Sequence, residues 1–138
     1  MFGTLEMLSH ATIITGNREN NLEQFKAFLT EQGITIQGNP DVYIFNDEQF
    51  LTDDVEKVVS MLTSRKVSAR RFCIISCDRL DAQVQNRLLK TIEEPHPGTY
   101  IVFIIQAVIN YCQQYYHAVR LFQEILIKEY RVLQWMIF

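Results

Sequence analysis

Four consecutive apolar residues, Phe72-Cys73-Ile74-Ile75, stand between a basic stretch running from Arg65 to Arg71 and the segment Ser76-Cys77-Asp78. Successive side chains of a strand point to opposite faces, so a strand wetted on one side alternates apolar with polar residues. A strand with no polar side has to be covered above and below, as a central strand of a parallel sheet is. The rest of the chain supplies companions for it. Ala11-Thr12-Ile13-Ile14-Thr15 is a β-branched run ending at Gly16, a residue that leaves a strand through a tight turn at little cost. Val42-Tyr43-Ile44-Phe45 follows the turn signal Gly38-Asn39-Pro40, and Tyr100 to Ile105 follows Pro97-Gly98. Both runs have strand composition.

Between these runs the apolar period lengthens to that of a helix. Leu22, Phe25, Phe28 and Leu29 mark one face of a first helix, with Asn20 or Asn21 available as its cap and Gly33 as its terminator. Val55, Val58, Val59 and Leu62 recur at i, i+3, i+4 and i+7, which predicts a second helix capped by Thr52, with Asp53, Asp54 and Glu56 at the end where negative charge is favoured. Leu80, Val84, Leu88, Leu89 and Ile92 predict a third, stopped by Pro95. Four strands alternating with helices through short links predict an α/β layer structure with a mostly parallel sheet. Such sheets take ligands beyond the carboxyl ends of their strands. The places to inspect are therefore Gly16 to Glu23, the segment after Phe45, Ser76 to Asp78, and Gln106 onward.

A chain of 138 residues with 48% hydrophobic content supports one domain with a real core. We place it over residues 1–106. Cys73, Cys77 and Cys112 are odd in number and lack Cys-x-x-Cys spacing, which favours a reducing, cytoplasmic compartment. Met1 to His10 has no basic segment leading into an apolar one, and no window holds 18 uninterrupted apolar residues, so neither secretion nor a membrane span is expected. The net charge, 13 − 16 = −3, gives no general pull toward polyanions. The cluster Arg65, Lys66, Arg70 and Arg71 reads as a solvated charged loop in front of a buried strand, leaving DNA contact indirect or weak. Residues 107–138 differ in texture: aromatic residues abound, Gly and Pro are missing, and helix is the default reading. The terminal Trp135-Met136-Ile137-Phe138 is too apolar for a free tail. It packs back on the domain, docks on a partner, or marks a truncated or altered reading frame.

The loop after the first strand has the place of a phosphate-binding loop, where backbone N–H groups and a helix N-terminus hold an anion. Laid on G-x-x-x-x-G-K-[ST], Gly16-Asn17-Arg18-Glu19-Asn20-Asn21-Leu22-Glu23 keeps only Gly16. Asn21 replaces the second glycine, Leu22 the phosphate-binding lysine, and Glu23 the hydroxyl that would hold magnesium. The third strand loses its magnesium-binding acids in the same way: Ile75 and Ser76 fill those positions and Asp78 lies past them. His10, His96 and His117 are isolated from one another and from any cysteine pair, so no metal site is expected. Cys77 has no base near it in sequence and reads as packing.

Leu80 to Gly98 is the most specific text in the chain. Its helix ends in Glu93 and Glu94, where the macrodipole disfavours each carboxylate by about 0.3–1 kcal/mol unless a positive group answers it. Lys90 can answer one at i+3. Leu88-Leu89-Lys90-Thr91-Ile92-Glu93-Glu94-Pro95, preceded by Asp78-Arg79-Leu80 and Gln85-Asn86, resembles the signature of the bacterial clamp-loader AAA+ subunits of DNA polymerase III, the delta-prime and gamma/tau group. Ser9-His10-Ala11 with Ile13-Ile14-Thr15-Gly16 is similar to their opening strand, Asn39-Pro40-Asp41-Val42 to the His-Pro-Asp-Val before their second, and Tyr100 to Ile105 to their sensor strand.

The resemblance implies a three-layer P-loop NTPase-like (AAA+) domain without the lid and collar domains. With the altered loop, it points to a noncatalytic, delta-prime-like scaffold subunit in DNA replication that needs no cofactor. Other clamp-loader and DNA polymerase III subunits would be its partners, met through Leu88, Lys90, Thr91, Glu93, Glu94 and Pro95. The chain departs from the group at several points: no zinc-module cysteines precede Asn39, Gln106 holds the sensor position, and Ala118 stands where the arginine of a Ser-Arg-Cys motif would fall. The alternatives are an ATPase with an atypical loop around Arg18, and a truncated product without a partner.

Overall fold

The structure, a computed structural model, describes residues 8, 10–65, 69–93, 97–106 and 134–137. In chain order the elements are β1 (Ala11–Gly16), α1 (Arg18–Glu31), β2 (Val42–Asn46), β3 (Gln49–Phe50), α2 (Thr52–Thr63), β4 (Arg71–Cys77), β5 (Arg79–Leu80), α3 (Ala82–Glu93), β6 (Thr99–Gln106) and β7 (Gln134–Ile137). Five strands form a parallel sheet in the order β2-β4-β6-β1-β7, and β3 pairs with β5 in a separate parallel ribbon. The α/β class with a parallel sheet is as expected.

The apolar run Phe72-Cys73-Ile74-Ile75 is the middle of β4, and each of its residues is fully buried. Alternate side chains divide between two cores, as the pleat requires. Cys73, Ile75, Ile13 and Phe103 pack with Val55 and Val58 of α2 and Val84, Leu88 and Ile92 of α3. Phe72, Ile74, Ile14 and Ile104 pack on the other face with Leu22, Phe25, Phe28 and Leu29 of α1. The result is three layers: α1, the sheet, and the α2–α3 pair. Burying a side chain such as Phe25 or Phe103 contributes about 1.5–3 kcal/mol.

Several local expectations are corrected. α1 is capped by Asn17, whose side chain accepts a hydrogen bond from the Asn20 N–H at 3.0 Å, so the helix begins earlier than Asn20 or Asn21 would allow. Gly33 does follow its end, at φ +81°. α2 is preceded by Leu51, whose N–H donates to the Asp54 carboxylate at 2.9 Å, and Thr52 is already helical. Leu80 belongs to β5, and α3 starts only at Ala82. Two-residue strands carry too little pattern to be read, which is why β3 and β5 were not expected.

Arg71 is the largest correction. It opens β4 with only 2% of its surface exposed. Its Nη1 donates to the carbonyl oxygens of Met61 at 2.6 Å and Ser64 at 2.9 Å, at the carboxyl end of α2. Its Nη2 lies 3.6 Å from Asp41, which is equally buried. A helix end leaves carbonyls unpaired and partially negative, so a cation placed there satisfies both needs. The charged loop thus has one arm inside the protein.

At the far edge, β7 runs parallel to β1 with Ile13 opposite Gln134 and Gly16 opposite Ile137. Helix is the sequence default for this segment; the backbone at Gln134–Ile137 is instead extended, because β1 has an open edge whose N–H and C=O groups a strand can pair. The rest of residues 107–138 lies outside the described residues. Among the described residues no helix is long and apolar enough to cross a membrane.

Candidate functional site at the carboxyl edge of the sheet

The four segments flagged for inspection meet at one place. β1 ends at Gly16 with φ +137°, a conformation that side-chain-bearing residues rarely adopt, and this turns the chain into Asn17 and α1. The first residue of α1, Arg18, therefore stands directly above the strand ends. Its backbone N–H donates to Oε1 of Gln106, the last residue of β6, at 3.0 Å. Its guanidinium reaches toward β2 and β4. Nε lies 2.8 Å from the Asp78 carboxylate, and Nη1 donates to Oδ1 of Asn46 at 2.6 Å. Longer contacts of Nη1 run to the Asp47 carbonyl at 3.4 Å and to Ser76 Oγ and O at 3.4 and 3.5 Å. The Arg18 side chain is 11% exposed and that of Asp78 29%. A charge-assisted contact at 2.8 Å in this setting is stronger than a surface ion pair.

The other residues of the loop point elsewhere. Asn21 is fully buried, and its Nδ2 donates to the Thr15 carbonyl at 3.4 Å. Leu22 is 2% exposed and lies in the α1-side core. Glu23 faces solvent and pairs with Lys26 at 3.2 Å. Helical geometry explains the division: once Asn17 caps α1, Leu22 joins Phe25 and Leu29 on its inward face, and Glu23 turns outward. At the end of β4, Ile75 is buried among α2–α3-side residues and Ser76 is buried beside the Arg18 head.

Sequence reasoning named Gly16, Asn17, Arg18, Asn21, Leu22, Glu23, Ile75 and Ser76 here. It noted Asp78 and Gln106 without joining them to Arg18, and it flagged the segment after Phe45 without singling out Asn46, whose only signal is its position at the end of an apolar strand. Cys73 is fully buried and its thiol pKa is pushed up to about 12 by that burial, with Arg71 acting weakly the other way. Cys77 is also buried and forms no disulfide, so neither thiol is an exposed nucleophile.

The second expected cluster lies along α3. Leu88 is fully buried under α2 and α3 and faces the chain's own core, so its place among surface contact residues is corrected. Lys90 and Glu93 are exposed, and half-buried Thr91 donates to the Arg87 carbonyl at 3.2 Å. Glu94 and Pro95 lie outside the described residues.

The family model for the DNA polymerase III delta subunit matches residues 14–110. The chain belongs to this family of clamp-loader proteins. Two solved structures share the fold. A DNA polymerase III gamma subunit-related protein of Thermotoga maritima superposes with a TM-score of 0.62 at 21% identity, over 94% of this chain and 42% of that one. The Bacillus subtilis DNA clamp loader delta protein superposes with a TM-score of 0.57 at 11% identity, over 96% of this chain and 39% of its own. The chain thus spans about two fifths of the length of these structures, with which it shares an α/β fold built on a mostly parallel sheet. No curated protein sequence matches it.

Proposed function

We propose that the chain is a noncatalytic, delta-prime-like clamp-loader subunit of DNA polymerase III, cytoplasmic, that serves DNA replication by holding neighbouring subunits. The observation that carries this reading is the engagement of Arg18. The cation nearest the would-be phosphate loop is tied to Asp78 and Asn46, while the residue at the lysine position, Leu22, is committed to the core. A magnesium-bound nucleotide needs a free cation for its phosphates and oxygen ligands for the metal. Ile75 offers no oxygen, Ser76 is buried against a guanidinium, and Glu23 sits on solvent with Lys26. These residues do not fit such a group.

What remains is surface. Lys90, Thr91 and Glu93 along α3 make a mixed-charge edge for a neighbouring clamp-loader subunit, to which Glu94 and Pro95, next in the sequence, are also assigned, with DNA contacted indirectly or weakly. Titration calorimetry with ATP and magnesium tests the noncatalytic part: no heat is expected, and binding tighter than about 10 μM rejects it. Mass spectrometry of the complex recovered from the source cell tests the assembly part. Other DNA polymerase III subunits are expected in it, and their absence rejects the scaffold role.

A further inference from the structure

The β3–β5 ribbon is the point from which both helices of the α2–α3 layer depart. α2 begins two residues after Phe50, and α3 begins two residues after Leu80. Phe50 and Leu80 are both 1% exposed and lie opposite each other in the ribbon. The ribbon is joined to the main sheet by the Asp47 N–H to the Ser76 carbonyl at 3.1 Å and the Asp78 N–H to the Glu48 carbonyl at 2.9 Å. Gln85 of α3 clasps it by donating its side-chain amide to the Leu80 carbonyl at 2.6 Å. The Arg18 head group sits at this junction between the end of the sheet and the start of the ribbon, touching Asn46, Asp47 and Ser76 on one side and Asp78 on the other. Arg18 itself belongs to α1, on the opposite side of the sheet.

We propose that Arg18 is a strut that locks the α2–α3 layer to α1 across the carboxyl edge of the sheet, so that the α3 edge bearing Lys90, Thr91 and Glu93 is held in one orientation by the chain's own side chains. This deepens the scaffold reading and rests on it for the use of that edge. A scaffold gains from a fixed contact face, because ordering it beforehand removes that entropic cost from association. Arg18 acts through Asp78 and the ribbon, which makes it a positioning residue.

Amide hydrogen exchange on the full chain tests the strut. Arg18→Met is expected to speed exchange at Asp47, Asp78 and the first turn of α3 by roughly tenfold, as a local opening that leaves β6 and the middle of α1 unchanged. Asp78→Asn is expected to produce a smaller increase at the same amides. The double variant R18M/D78N should match R18M within about twofold, because the two side chains act as one unit; independent structural effects would multiply instead. Exchange in R18M within about twofold of the parent, or multiplied effects in the double variant, overturns the strut. Should R18M fail to fold, D78N decides: an increase confined to these amides supports the strut, and no increase rejects it. Failure of the parent chain to associate with clamp-loader subunits rejects the scaffold reading and leaves the exchange result, and hence the strut, standing by itself.

Discussion

Arg71→Met is the substitution whose cost follows most directly from the geometry. The side chain is nearly isosteric, so the change removes charge and hydrogen bonds while keeping volume. It strips donors from the Met61 and Ser64 carbonyls and leaves the Asp41 carboxylate, whose side chain is 2% exposed, without its cation. Breaking a buried pair from one side costs about 3–5 kcal/mol, most of it from the charge left behind. For a domain of this size, with a urea m-value of about 2 kcal/mol/M, the unfolding midpoint should fall by about 2 M. Removing that stranded charge tests the explanation: D41N/R71M should recover a substantial part of the loss, to a net cost of about 2 kcal/mol. A midpoint shift under about 0.5 M in R71M, or a double variant less stable than R71M alone, would refute the reasoning.

Gly16→Ala places a side chain at φ +137°; urea unfolding should show a loss of about 1–3 kcal/mol, and no loss would mean that the turn is not strained for other residues. Cys73 makes stability pH-dependent above neutrality. Its thiol stays protonated in the fold up to a pKa of about 12 against an unfolded value of 9.0, so its contribution is full below pH 9 and is lost as pH rises toward 12. Between pH 9 and 11 the parent should lose about 1.4 kcal/mol per pH unit more than Cys73→Ala, and equal slopes would contradict the burial effect. The Arg87–Glu56 pair, 3.2 Å apart with side chains 41% and 59% exposed, should contribute less than about 1 kcal/mol in a double-mutant cycle, with a larger coupling showing that the two helices depend on it.

Much of this molecule was legible in its sequence. The apolar run of β4 forces a covered parallel sheet, and the helical periods of Leu22 to Leu29 and Val55 to Leu62 name the residues that cover it. Val59, on the margin of the second stripe, and Leu89, on the margin of the α3 stripe, are only partly buried. What escaped reading was set by distance in the chain. Nothing local to Arg71 says that a helix end ten residues earlier and a buried Asp41 await it, so a solvated loop is the natural reading of Arg70-Arg71. Arg18 carries the same lesson: as a loop residue it suggests phosphate, and only the meeting of three strand ends turns it toward Asp78, Asn46 and Ser76. Leu88 misled because a motif that marks a family mixes residues held for packing with residues held for surface.

The order of the strands also has a consequence for how the protein is made. β1, whose six residues are all buried, lies between β6 and β7, and its first partner, Ile101, is 101 − 11 = 90 residues away from Ala11. During synthesis at about 5–20 residues per second, this sticky segment must wait roughly 5–20 s for β6 to emerge from the ribosome. Pairings so remote make for slow acquisition of the native state. The nascent chain is therefore most open to misassociation at β1 while β6 is still unmade, although this strand ends between two others in the finished sheet.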